Sequence, residues 1–148
     1  MRVGHVALHV PDLHRAEKVY CSTFGLEVVT REAMRADGTW GQLPVEVGWE
    51  QARAADLEPQ MVGLRADGLI VALFPGSPSP GTLLLIGLNV TPDELAQVSA
   101  RLPADATLET ATDSTLTFQD PFGFRWQLTT TGFRGAGEAR GDWIDLET

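Results

Sequence analysis

Apolar and polar residues alternate along Val3–Asp12 (VGHVALHVPD), and the alternation returns in Leu83–Asp93 (LLLIGLNVTPD). A period of two predicts a strand with two unlike faces. In the first copy Val6, Leu8 and Val10 form the face that a helix would cover, and His5, Ala7 and His9 form the open face. In the second copy Leu85, Gly87 and Asn89 occupy the open positions, at an offset of 80 residues. A helix signal follows each strand directly, so the repeat implies two related half-domains.

The first helix starts at Pro11-Asp12, with Asp12 as its N-cap. Leu13, Ala16, Val19, Tyr20 and Phe24 recur at helical spacing, and Gly25 closes the helix in a left-handed turn. A strand is predicted from about Leu26 to Glu32. The segment 33–60 reads as an insertion carrying Trp40, Pro44, Trp49 and Pro59, with a short helix over Glu46–Leu57. It is expected to be either a wall over a site or a packed surface excursion. Met61–Arg65 and Leu69–Phe74 form a hairpin about Asp67-Gly68.

Residues 76–82, rich in Pro, Gly and Ser, read as a linker. A strand over Leu83–Val90 then leads to Thr91-Pro92-Asp93-Glu94, a capping box with Pro at the first helical position. That helix is expected to end near Leu102, before Pro103. Strands at about Thr107–Thr112, Ser114–Gln119 and Phe124–Thr130 follow, the last two joined by Asp120-Pro121-Phe122-Gly123. Residues 131–148 form a tail whose Trp143, Ile144 and Leu146 are suited to packing on this domain or on a partner chain. The reading is an α+β fold of two βαβββ modules, 3–75 (with the insertion 33–60) and 83–130. Together they would form one domain, a cupped mixed β-sheet with helices on its outer face.

Composition removes several functions. Net charge is −9, and the eleven Lys and Arg residues form no stripe, so nucleic-acid binding is not expected. No apolar run is long enough to span a membrane, and the N-terminus lacks a cleavage signature, so a cytoplasmic protein is expected. Cys21 is the only cysteine, so no intrachain disulfide forms, and its helical position suits a small buried side chain better than a nucleophile. Asn89-Val90-Thr91 matches a glycosylation sequon but lies at a strand end in a chain without a secretion signal. The glycines at 135–141 lack the strand-to-helix context of a dinucleotide loop, and Walker, HExxH, CxxC and G-x-S-x-G motifs are absent.

Two stretches carry a resemblance. They are Gly4–Leu13 with Tyr20 and Phe24-Gly25-Leu26, and Phe118–Leu128 (FQDPFGFRWQL). On these the chain resembles the vicinal oxygen chelate superfamily, which contains glyoxalase I, extradiol dioxygenases and bleomycin-resistance proteins. In metal-dependent members each module places one ligand on its first strand and one on its last. The resemblance carries those four positions onto His5, Ala72, Leu85 and Gln127. Ala and Leu cannot coordinate, and a catalytic metal needs about three protein ligands. The expectation is therefore no metal cofactor; if a divalent metal does bind, His5 and Gln127 would hold it.

Strand parity places His5, Ala7, His9, Ile70, Ala72, Phe74, Leu85, Gly87, Asn89, Arg125, Gln127 and Thr129 on the cup faces. This is the mostly apolar composition of a small-molecule pocket, although the same residues could fill the cup as core. The expected function is a metal-independent small-molecule binding protein. Its ligand-binding residues would be His9, Trp40, Phe74, Leu85, Asn89, Arg125 and Gln127, with Trp40 or Trp49 stacking on an aromatic ligand. The alternative is an enzyme with His5 or His9 as general base and Arg125 holding an anionic group. With metal on His5 and Gln127 it would be a lyase, isomerase or dioxygenase. A homodimer is expected from the resemblance and the apolar tail, with the modules pairing within one chain or between two.

Overall fold

The structure is a computed structural model and describes residues 5–34, 38 and 40–131, with Thr82 described by its backbone alone. The expected tail, apart from Thr131, lies outside these residues. The first module runs β1 (Val6–Val10), α1 (Leu13–Phe24), β2 (Glu27–Met34), β3 (Trp40–Leu43), α2 (Trp49–Ala54), β4 (Pro59–Ala66) and β5 (Leu69–Pro75). The second runs β6 (Ile86–Asn89), α3 (Pro92–Ala100), β7 (Thr107–Ala111), β8 (Thr115–Gln119) and β9 (Arg125–Thr129).

Sheet order is β1-β5-β4-β2-β3 in one module and β6-β9-β8-β7 in the other. In both, the first strand lies parallel to the last, and the remaining strands meander outward antiparallel. The repeat seen in the alternation is thus a repeat of topology, with β3 as an added edge strand.

The helix ends follow from their caps. The Asp12 carboxylate accepts the Arg15 N–H at 2.9 Å, and Gly25 takes φ 67°, a conformation that costs a residue with a Cβ. Thr91 and Glu94 form the expected reciprocal capping box of α3.

Differences from expectation cluster where tertiary contacts overrode local pattern. The segment 33–60 contains the end of β2, the whole of β3 and α2, and the start of β4, so it joins the sheet at both ends and in the middle. The helix predicted over Glu46–Leu57 is confined to Trp49–Ala54. The strand expected from Leu83 begins only at Ile86, after a 3₁₀ turn at Pro80–Thr82. A Cβ on Gly123 would come within 3.2 Å of the Pro80 ring, so the linker is packed against the β8–β9 turn.

One hydrophobic core serves both modules. Leu8, Val10, Val62, Leu64, Val71 and Leu73 form the helix side of the first sheet, and Leu116, Phe118, Trp126 and Leu128 that of the second. Helix α1 reaches both. Its Tyr20 and Phe24 rings lie 5.9 and 4.7 Å from that of Trp126, and it also packs on β4, β5 and β2 of its own module. The helix sides of both sheets therefore turn inward onto α1, and their open sides turn outward.

Candidate functional site

The open side of the first sheet is built from rows of cross-strand neighbours. His9 pairs with Phe74, Ala7 with Ala72, and Ala72 with Gly63. On the outer strands Glu32 pairs with both Met61 and Gln42, and Met34 with Trp40. Met34 and Trp40 are 50% and 48% exposed, far more than large apolar residues in a finished core. Trp40 thus lies on the exposed side of β3, opposite Met34.

Sequence reasoning missed Glu32, Met34, Met61 and Gly63. The signal lay in β2, but a bulge hides it. Val28 pairs with Leu64 and Arg31 with Val62, both on the helix side, although odd spacing should separate them. Val29 and Thr30 share the place opposite Gly63, where a Cβ would meet Thr30 Cγ2 at 2.7 Å. The extra residue shifts the parity of everything after it.

The open side of the second sheet is different in kind. Asn89 pairs with Thr129, Gly87 with Gln127, and Gln127 with the buried Thr117, giving a face of small uncharged groups. Arg125 does not point freely at this surface for an anion. Its Nη2 lies 2.6 Å from Glu109 Oε2 in a half-exposed ion pair. Leu85 is half-buried and precedes β6.

The histidines are separated in the chain. His5 is exposed just before β1. The Nδ1 of His9 lies 3.3 Å from the Pro75 carbonyl oxygen, and its ring 6.3 Å from that of Phe74. His5 precedes β1 at one edge of the first sheet, and Gln127 lies on β9 of the second.

Trp49 does not belong to this surface, which corrects its expected stacking role. It is buried, its Nε1 donates to Glu17 at 3.0 Å, and His14 packs on it with ring centroids 5.0 Å apart. Glu17 also receives Arg31 through two hydrogen bonds of 2.7 and 2.8 Å. Arg31 in turn donates to the carbonyls of Val45 and Val47, tying the segment before α2 to α1. Cys21, half-buried nearby, has its thiol pushed up by burial and then by Glu17, so it is a poor nucleophile.

The four positions to which the resemblance carries a metal site give a donor set that does not fit one. Ala72 and Leu85 carry no donor atom, and His5 with Gln127 supplies two donors at most, below the usual three. Among the described residues no three His, Cys, Asp or Glu side chains gather into a cluster able to hold a metal ion. No described helix is long and apolar enough to cross a membrane.

Comparison with known proteins agrees with this architecture. The fosfomycin resistance protein FosX from Listeria monocytogenes is similar in fold, with TM-score 0.59 and 15% identity over 86% of this chain and 88% of that one. A variant of that protein, with the same TM-score and identity over 86% and 89%, is described in complex with Mn(II) and 1S,2S-dihydroxypropylphosphonic acid. TioX from Micromonospora sp. ML1 aligns with TM-score 0.51 and 16% identity over 86% of this chain and 98% of its own. No curated protein sequence matches the chain. A family model described as Glyoxalase/Bleomycin resistance protein/Dioxygenase superfamily matches residues 2–128, nearly the whole of the described structure. The chain belongs to that superfamily.

Proposed function

We propose that this protein is a metal-independent binding protein for a small, partly aromatic molecule. It acts as a homodimer, with the open side of the first sheet of one protomer facing the open side of the second sheet of its partner. The observation that carries this reading is the pair of open surfaces. One exposes Met34, Trp40 and Ile70 at 41–50%. Exposed apolar surface of this kind marks a binding site, and a cup with one apolar and one polar wall suits a small ligand. His9, Phe74, Asn89 and Gln127 contribute to the walls, and Leu85 to the rim.

The missing donors at Ala72 and Leu85 support a ligand held without metal. FosX is described with Mn(II), so metal dependence is the reading to exclude by experiment. Sedimentation should give a dimer, Mn(II) titration should show no binding at micromolar affinity, and a panel of small aromatic compounds should raise the melting temperature. A stable monomer, micromolar Mn(II) affinity or a melting temperature that no compound moves would each overturn part of this reading. Micromolar Mn(II) affinity would favour the lyase, isomerase or dioxygenase alternative with His5 as ligand or general base.

A further inference from the structure

The open side of the first sheet holds a feature that an apolar wall does not require. Glu32 lies in its middle, half-buried, opposite Met61 on β4 and Gln42 on β3. Two residues along β2 is Met34, whose partner is Trp40. The β4–β5 register, in which Val62 pairs with Leu73, sets Phe74 across from Met61. Glu32 thus has a thioether (Met61) on one side and an amide (Gln42) on the other, with the Met34–Trp40 pair two residues along.

Among the described residues no ion pair answers its charge. The ion pairs among the described residues are Arg15–Asp105, Arg31–Glu17 and Arg125–Glu109. The arginine on the open side of this sheet, Arg65, stands opposite Glu27 at the far end of β2. Its neighbour Arg31 is turned to the helix side and used up by Glu17. Among the described residues, the open side of the second sheet offers neutral groups and the self-neutralised Arg125–Glu109 pair. A half-buried carboxylate beside thioethers gains from an opposite charge that meets it, and net charge −9 works in the same direction.

Resting on the binding role above, we propose that Glu32 anchors the ligand by pairing with a basic nitrogen, and that the ligand is a cationic aromatic molecule. Its ring packs on Trp40, Met34 and Met61. The indole face adds cation–π attraction, and the thioethers adapt to the ring's outline. The polar wall of the other sheet meets its uncharged edge.

The test uses the full-length protein and two probes of the same shape near neutral pH, 9-aminoacridine (cationic) and acridine (uncharged), titrated calorimetrically. Wild type should bind the cation at least about tenfold more tightly, the scale of one modest charge-assisted contact. Glu32→Gln should erase that preference and leave acridine affinity unchanged. Trp40→Ala should weaken both probes. Circular dichroism would verify that both variants keep the native fold. Equal affinities in wild type, or a cation preference that survives Glu32→Gln, would overturn the anchor and leave the binding role standing if acridine still binds. Failure of both probes to bind would overturn the anchor and count against the pocket itself.

Discussion

The Tyr20 hydroxyl donates to the Asp120 carboxylate at 2.6 Å across a separation of 100 residues, joining α1 of the first module to the β8–β9 turn of the second. The same carboxylate accepts the Trp126 indole N–H at 2.9 Å and the backbone N–H groups of Phe122 and Phe124 at 2.9 and 3.0 Å. Four donors converge on one buried side chain, which makes Asp120 the hub at which the modules are locked.

Removing the hub should cost more than removing one spoke. Tyr20→Phe deletes one bond to a charged acceptor and should cost about 1.5–3 kcal/mol. Asp120→Ala strands all four donors and should cost at least about 3–5 kcal/mol. Urea unfolding followed by circular dichroism measures both. Equal losses from the two variants would show that Tyr20 alone carries the lock.

Tyr20 is the only tyrosine in the chain, so its ionisation can be read without ambiguity. Burial, then the neighbouring Asp120 charge, holds the phenol far above its ordinary value. A folded value above the unfolded one stabilises the protein fully below the unfolded value, and that stability is lost as pH rises beyond it. Tyrosinate absorbance should therefore stay absent on alkaline titration until the protein unfolds, then appear together with loss of ellipticity. Tyr20→Phe should flatten the alkaline limb of the stability profile. Gradual tyrosinate formation in folded protein would contradict this account.

The buried Glu17–Arg31 pair should behave asymmetrically. Arg31→Met leaves Glu17 enclosed without its partner and should cost about 3–5 kcal/mol, whereas adding Glu17→Gln should recover part of the loss. The indole of Trp49 reports the change, because its N–H partner is Glu17. The single variant should shift tryptophan emission, and a double variant no better than the single would argue against charge burial as the cause.

The α3 cap predicts a small acid-side effect. Thr91→Ala should cost about 1 kcal/mol. The Thr91 backbone N–H, and then its hydroxyl, holds the Glu94 carboxyl below its ordinary value. A depressed folded value means that the contribution is present above the unfolded value and is lost as pH falls through the folded one. Melting temperatures from neutral to acid pH should fall less steeply in Glu94→Gln than in wild type.

Local chemistry was legible from the residues alone. Alternation along Val6–Val10 needs only the pleat, the caps at Asp12 and Thr91 need only a side chain within three residues, and Gly25 needs only its missing Cβ. The two βαβββ units follow from these, and so does the open side bearing Ala7, His9, Ala72 and Gln127. What tertiary structure alone decided depends on contacts between distant residues. The bulge at Val29-Thr30 turned Glu32 and Met34 outward because Gly63 leaves room for it. Trp49 went to the helix side because Glu17 and Arg31 meet there, while Trp40, in the same stretch of sequence, stayed on the open side. The modules met through α1, because Tyr20 found Asp120 and Phe24 found Trp126. Period and capping are properties of neighbours in sequence, so a sequence displays them. The direction in which two open surfaces look is a property of the whole packed core, and it exists only once the chain has folded.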